Sequence, residues 1–288
     1  MAKINVLVFP AGEVNSVELH DALATCVNIN LFGASSKERH GKYVFENYIS
    51  GLPLIDAPEF ISEFNRIIDE HSIDLIFPTH DTVMEFLADN GDKLHARVVN
   101  GDKKTADVCR DKLRQYELLA SQDFMPRRLG EIDGYPLFAR PRRGQGGVGA
   151  RRISNEAEMP SDLDNYLVTE FLPGDEMSVD CLSDRYGRLT VVSPRTRART
   201  MAGISAAGKT IPLTDDIFRM ASVINEKLKL KGLWFFQVKK DAKGNWKFLE
   251  VASRVASTMC LTRARGVNLP LLSVYVAMGL DVSVSPNP

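Results

Sequence analysis

The spacing of apolar residues changes character partway along the chain. A short apolar run, Ile4–Phe9, is ended by Pro10 and a turn at Ala11-Gly12-Glu13, and helical spacing follows at Val17, Leu19, Leu23 and Ala24. A second strand is predicted over Val27–Phe32. Phe60, Phe64, Ile67 and Ile68 share one helical face, followed by a strand at Ile73–Phe77, a helix near Val83–Leu87 and a short strand and turn over Val98–Asp102. Strands alternating with helices predict a parallel α/β sheet. Leu113, Tyr116, Leu118 and Leu119 then predict a helix over Cys109–Gln122, stopped by Pro126. Beyond it, short strands at Leu137–Arg140, Ala150–Ile153, Tyr166–Leu172, Met177–Leu182 and Leu189–Ser193 are separated by turns, the pattern of antiparallel sheet. A helix over Ile217–Leu228 precedes a hairpin, Leu233–Lys239 with Trp246–Val251 around residues 242–245, and Asn268–Met278 is the last helix.

With 288 residues the chain has room for about two domains and a large core. A net charge of −1 argues against a dedicated nucleic-acid binder, which carries a broad basic excess. Cys26, Cys109, Cys181 and Cys260 have no metal or CxxC spacing and read as free thiols of a reducing compartment. The N-terminal apolar run is too short for a signal or a membrane span, so a cytoplasmic protein without membrane contact is expected.

The chemistry is concentrated at Leu137–Gly149, where an apolar strand runs into Arg140, Arg142 and Arg143 and a cluster of glycines. Glycine brings backbone N–H groups close to an anion, and arginine adds fixed charge, so a polyphosphate is the natural guest. A flexible basic hairpin tip is the competing reading. Gly144–Gly149 spells G-x-G-x-x-G and Gly203–Thr210 spells G-x-x-x-x-G-K-T. Both nucleotide motifs need a strand before the glycines and a helix after them. Pro194–Thr200 before the second is basic and polar, and Pro212 follows it, so it is no P-loop. The first leads into another strand, Ala150–Ile153, which makes it a glycine hairpin covering phosphate.

Taken in order, the glycine hairpin, the acidic strand Leu167–Glu176 and the hairpin carrying Gln237 and Glu250 resemble the ATP-grasp superfamily. The likeness runs along nearly the whole chain and is nearest to the large subunit of carbamoyl phosphate synthetase and its small stand-alone relatives. It implies an α/β plus α+β fold, with a Rossmann-like pre-ATP-grasp domain over residues 1–108 and an ATP-grasp domain over 109–288. A small lid sub-domain at about 126–170 and an antiparallel-sheet body complete it. The resemblance implies ATP and Mg2+, with Mn2+ as a substitute, and a ligase that activates a carboxylate as an acyl-phosphate for attack by an amine or other nucleophile. Partners would be those small molecules and a second copy of the chain, with no nucleic acid.

Residue by residue, Lys112 and Arg140 correspond to the basic groups on the phosphates, and Gln145, Gly146 and Gly147 to the lid loop. The backbone at Glu170, Phe171 and Leu172 would meet adenine, and Glu176 the ribose hydroxyls. Gln237 and Glu250 would hold the metal, for which hard oxygens are required. Arg254, with Arg140, would carry the catalytic charge. The family commonly reads Glu-x-Asn-x-Arg where this chain has Glu250-Val251-Ala252-Ser253-Arg254, so Ala252 removes one oxygen, usually a ligand to a second metal. An ATP-binding sensor or regulatory protein without turnover is therefore the alternative, and an anion- or RNA-binding module a third. Arg195, Arg197, Arg199 and Lys209 are read either as a mobile loop near the acceptor or as a solvated basic loop. His80 and Asp81 follow a strand end, where open α/β sheets place ligands; capping of the next helix by Thr79 or Asp81 is the other reading.

Overall fold

The computed structural model describes residues 3–201 and 203–285. Five parallel strands form the first sheet: β1 (Ile4–Phe9), β2 (Ile29–Ala34), β3 (Asn47–Ile49), β4 (Leu75–Pro78) and β5 (Arg97–Val98), in the order β3-β2-β1-β4-β5. Helices α1 (Val14–Leu23), α2 (Phe60–Glu70) and α3 (Asp81–Asp89) connect them. β2 begins two residues later than its apolar run suggested, because Cys26–Asn28 form a turn that leaves Val27 88% exposed. β3 is a three-residue edge strand, too short for alternation to reveal.

The single helix expected over Cys109–Gln122 is two, α4 (Lys103–Arg110) and α5 (Lys112–Leu118). Asp111 breaks them apart. Its backbone is extended, and its carboxylate accepts the N–H groups of Leu113 and Arg114, capping α5. That break sets Lys112 at the head of a new helix.

The lid is a three-stranded antiparallel sheet, β7-β6-β8, made of β6 (Leu137–Pro141), β7 (Arg151–Ile153) and β8 (Tyr166–Glu170). The body is a four-stranded antiparallel sheet, β10-β9-β13-β14: β9 (Glu176–Ser183), β10 (Leu189–Thr196), β13 (Gly232–Lys240) and β14 (Trp246–Ala252). A separate hairpin, β11 (Arg199–Met201) and β12 (Ile204–Ala207), takes the place of the mobile loop read from the arginine-rich segment. Helices α6 (Asp215–Leu228), α7 (Cys260–Ala264) and α8 (Leu269–Ala277) complete the chain.

β13 is apolar on both faces because its sheet is covered on both. Trp234, Phe236 and Val238 pack in one core with Ile217, Ala221 and Ile224 of α6. Leu233 and Phe235 pack on the other side with α8 and with Val6, Val8 and Leu19 of the first region. The parallel sheet and the body thus share one continuous core. That shared packing fixes where the carboxyl end of β4 meets the body sheet.

Candidate functional site

On the face of β13 that carries Leu233 and Phe235, the next residue is Gln237. Apolar side chains stop there, and the sheet opens into a site. The register places Arg195, Ser178, Gln237 and Glu250 side by side across β10, β9, β13 and β14. Glu176 and Lys239 pair in the next row outward, with Arg197 beside them. Side chains two residues apart on a strand share a face, so these rows make one polar floor. Between Gln237 and Val238 the pairing shifts, leaving Leu249 as an extra residue in β14. Bulges of this kind re-aim groups beside functional sites. The carbonyl freed at Leu249 accepts an N–H from Arg140 at 3.0 Å.

A cavity of about 260 Å3 lies on this floor, under the lid. Every residue assigned by resemblance to the nucleotide and metal lines it: Lys112, Arg140, Gln145, Gly146, Gly147, Glu170, Phe171, Leu172, Glu176, Gln237 and Glu250. Lys112 Nζ lies 3.3 Å from the Glu250 carboxylate and also donates to the Gly144 carbonyl at 3.3 Å. Burial alone would push the Glu250 carboxyl up, but Lys112, Arg140 and Arg254 together hold it below the usual carboxylate range. It is an anion at neutral pH. Two of the Arg140 N–H groups are committed, one to Leu249 and one to the Tyr116 hydroxyl at 2.6 Å, while its buried Nε has no partner among the described residues. Arg140 therefore acts from within the cavity wall, a placement that depends on Tyr116, which sequence reading assigned only to packing.

The other carboxylates are already engaged. Glu170 takes a two-pronged contact from the Arg127 guanidinium and the Arg127 N–H. This bond ties the strand end to the segment entering the lid. Glu176 lies 2.7 Å from Arg197 Nε and 3.5 Å from Lys239 Nζ. The Arg197 Nε–H does not align with the carboxylate, so this is an ion contact without a hydrogen bond. Lys239 was missed; period two from Phe235 through Gln237 would have located it.

A second cavity of about 250 Å3 adjoins the first and shares Gln145, Arg197, Gln237 and Glu250 with it. Arg254 lies here and not in the first cavity, held on both carboxylate oxygens of Asp81 and set over the Phe235 ring at 5.4 Å. Neither Thr79 nor Asp81 caps α3. The Thr79 hydroxyl donates to the Pro10 carbonyl, and Asp81 is spent on Arg254. His80, beside it, reaches the Gln145 amide at 2.6 Å and so touches the lid loop. The solvated reading also fails for Arg195, which is 1% exposed and paired with Asp180. Arg142 and Arg143 leave the site altogether, pairing with Asp111 and Glu85.

Burial raises the Asp81 pKa, but Arg254, Arg110 and His80 outweigh it and bring the carboxyl below its ordinary value. Stability from this pair is thus complete above about pH 4 and is lost as pH falls through the lower folded value. Asp81→Asn is expected to flatten the acid limb of urea stability measured between about pH 4 and 2. An acid limb identical to that of the unsubstituted chain would contradict the pairing.

The lid loop meets the β11–β12 hairpin at two glycines. Gly203 has φ +73°, and a Cβ there would lie 2.2 Å from the Gly146 carbonyl group. Gly203→Ala is expected to force the two loops apart and weaken ADP binding by about 10-fold, from roughly 1–3 kcal/mol of strain. Isothermal titration checks this, and unchanged affinity would show that the contact does not close the site.

Among the described residues no cluster of three metal-binding side chains exists, and no helix is long and apolar enough to cross a membrane. Gln237 and Glu250, as register partners, still present two oxygens on one face. That suits Mg2+, which often takes only one or two protein ligands and completes its shell with phosphate and water.

Residues 162–288 match a family model described as ATP-grasp in the biosynthetic pathway with Ter operon. No curated protein matches the chain. The biotin carboxylase domain of 2-oxoglutarate carboxylase from Hydrogenobacter thermophilus, solved with MgADP, ADP and bicarbonate, superposes with a TM-score of 0.79 at 17% identity, over 99% of this chain and 72% of that one. An L-amino acid ligase from Bacillus licheniformis gives 0.74 at 16%, over 96% and 75%. Pyruvate carboxylase from Rhizobium etli gives 0.79 at 16% over 98% of this chain, which spans only 29% of that larger protein. With its parallel sheet, glycine lid and antiparallel body in this arrangement, the chain has the ATP-grasp fold.

Proposed function

We propose that the chain is an ATP-dependent ligase that joins a small carboxylate to an amine or another nucleophile. One observation carries the reading. The register row Gln237–Glu250, with Lys112 against it, lies under a glycine lid and opens directly into a second polar cavity containing Arg254. The first cavity suits a nucleotide. Adenine would lie against the backbone of residues 170–172, ribose against Glu176, and the phosphates between Lys112, Arg140 and the lid loop 145–147. A carboxylate accepts more bonds than Arg197 and Lys239 now use, so Glu176 retains capacity for hydroxyls. Bound Mg2+, or Mn2+, would neutralise phosphate charge from Gln237 and Glu250.

The second cavity would hold the carboxylate substrate. Its oxygen attacks the γ-phosphorus, and ADP leaves with the bonding electron pair. The nucleophile then attacks the acyl carbon and expels phosphate. Such a transfer needs positioning and charge neutralisation more than covalent help from protein. Arg254, held in place by Asp81, supplies positive charge where the acyl-phosphate forms. The nearer kinship to carbamoyl phosphate synthetase and the dimer remain part of this reading. Release of ADP that depends on an added carboxylate, in a screen of amino acids and small acids, tests it.

Ala252 favours one second reading, an ATP-binding sensor. It pairs in register with Phe235, in the row next to Gln237–Glu250, and supplies no oxygen. ADP binding without turnover on any carboxylate would select this alternative.

A further inference from the structure

A third cavity, of about 730 Å3, shares no lining residue with the two described above. It lies between the end of β5, helix α4, the connection from α6 to β13, and the end of α8. We propose that it is a second anion site, which binds a phosphorylated small molecule with an apolar body.

Charge is the first argument. Arg97, Lys104, Arg185, Lys227, Lys229 and Lys231 line the cavity, against one acid, Asp102. The chain as a whole has 36 Lys and Arg to 37 Asp and Glu, so the excess is local. Asp102 is already used, accepting the Thr105 N–H and hydroxyl at 2.8 Å each as the cap of α4. The two arginines are used as well. Arg97 donates to the Ala277 carbonyl, and Arg185 holds Asp281 and the Gly279 carbonyl, so both build the wall. The four lysines have no carboxylate partner among the described residues.

Helix ends do not account for this arrangement. Lys227, in the last turn of α6, is favoured by the helix dipole. Lys104 is not; it lies in the first turn of α4, where a cation is disfavoured. Lys227, Lys229 and Lys231 alternate with Leu228 and Leu230, which are buried at 8% and 1% exposure. Both leucines anchor the backbone, and all three lysines line the one cavity despite their mutual repulsion. Lysine ammonium groups suit phosphate as point charges.

The lining is also apolar in part, with Val98, Val108, Leu118, Leu228 and Val276. A ligand with both a charged and an apolar part therefore fits better than phosphate alone. At the floor Asn100, with φ +59°, donates from its amide to the carbonyls of Leu233 and Ser253. Ser253 precedes Arg254, so an occupant lies one residue from the Arg254–Asp81 pair.

The test saturates the full chain with ADP and titrates it with inorganic tripolyphosphate by calorimetry. The same titration is run on the triple variant Lys227→Gln, Lys229→Gln, Lys231→Gln. A control triple variant, Lys37→Gln, Lys93→Gln, Lys243→Gln, makes the same change in net charge at exposed lysines elsewhere. The proposal expects one tripolyphosphate site that persists under ADP, weakens at least 10-fold in the first variant and is unchanged in the control. ADP affinity should be equal in all three. Equal weakening in both triple variants, or no binding under ADP, overturns it. A poly-glutamate peptide that binds where tripolyphosphate does not would also overturn it and assign the face to an acidic protein.

Discussion

Glu250→Gln is expected to keep the fold and to lower carboxylate-dependent ADP release by about 100-fold or more, the scale of losing one well-placed electrostatic group at a reacting centre. The substitution preserves volume and removes only charge. In the folded chain that charge is stabilised by Lys112 at 3.3 Å and by Arg140, and it faces a cavity without leaving the sheet register. Losing it takes away the anionic oxygen beside Gln237 and frees Lys112 from its only carboxylate partner among the described residues. A coupled assay of ADP release, with thermal unfolding as a control, gives the answer. Turnover within threefold of the unsubstituted protein would remove Glu250 from the site.

The largest effect on stability is expected at Arg195. Its guanidinium meets Asp180 at 2.8 and 2.9 Å, with both side chains essentially inaccessible. Thr262 donates to the same carboxylate, and Arg195 reaches the Thr258 hydroxyl. Thr258 belongs to the segment that follows Arg254, so the pair clamps this part of the site to the sheet. Arg195→Met leaves a buried carboxylate without its cation, which costs about 3–5 kcal/mol. Replacing both partners, Arg195→Met with Asp180→Leu, should recover part of the loss, because no charge then remains buried. Urea unfolding measures both. A loss below about 1 kcal/mol for the single substitution would mean that the pair is not closed in solution.

Much of this architecture was legible in the sequence because packing imposes periods. Val6–Phe9 and Leu75–Phe77 are apolar throughout, as strands buried on both faces must be. The helical spacing of Phe60, Phe64, Ile67 and Ile68 is the buried face of α2. The strand on each side of the glycine loop correctly excluded a Rossmann motif. What escaped was set by single polar residues or by partners far away in sequence. The break at Asp111 depends on one carboxylate turning back to cap the next helix, where periodicity runs on undisturbed. Arg195 looked like part of a basic loop because its acid, Asp180, lies on the neighbouring strand. The bond of Arg254 to Asp81 joins residues 173 positions apart. Nothing in local spacing could have paired them.

The central claim is that ATP activates a carboxylate through its own oxygen. The most direct measurement uses the carboxylate that best stimulates ADP release, labelled with 18O in both carboxyl oxygens, together with a nucleophile. An acyl-phosphate pathway transfers one labelled oxygen to inorganic phosphate, so mass spectrometry should find one 18O in each phosphate released. Phosphate without label, or a screen in which no carboxylate stimulates ADP release, would contradict the ligase account.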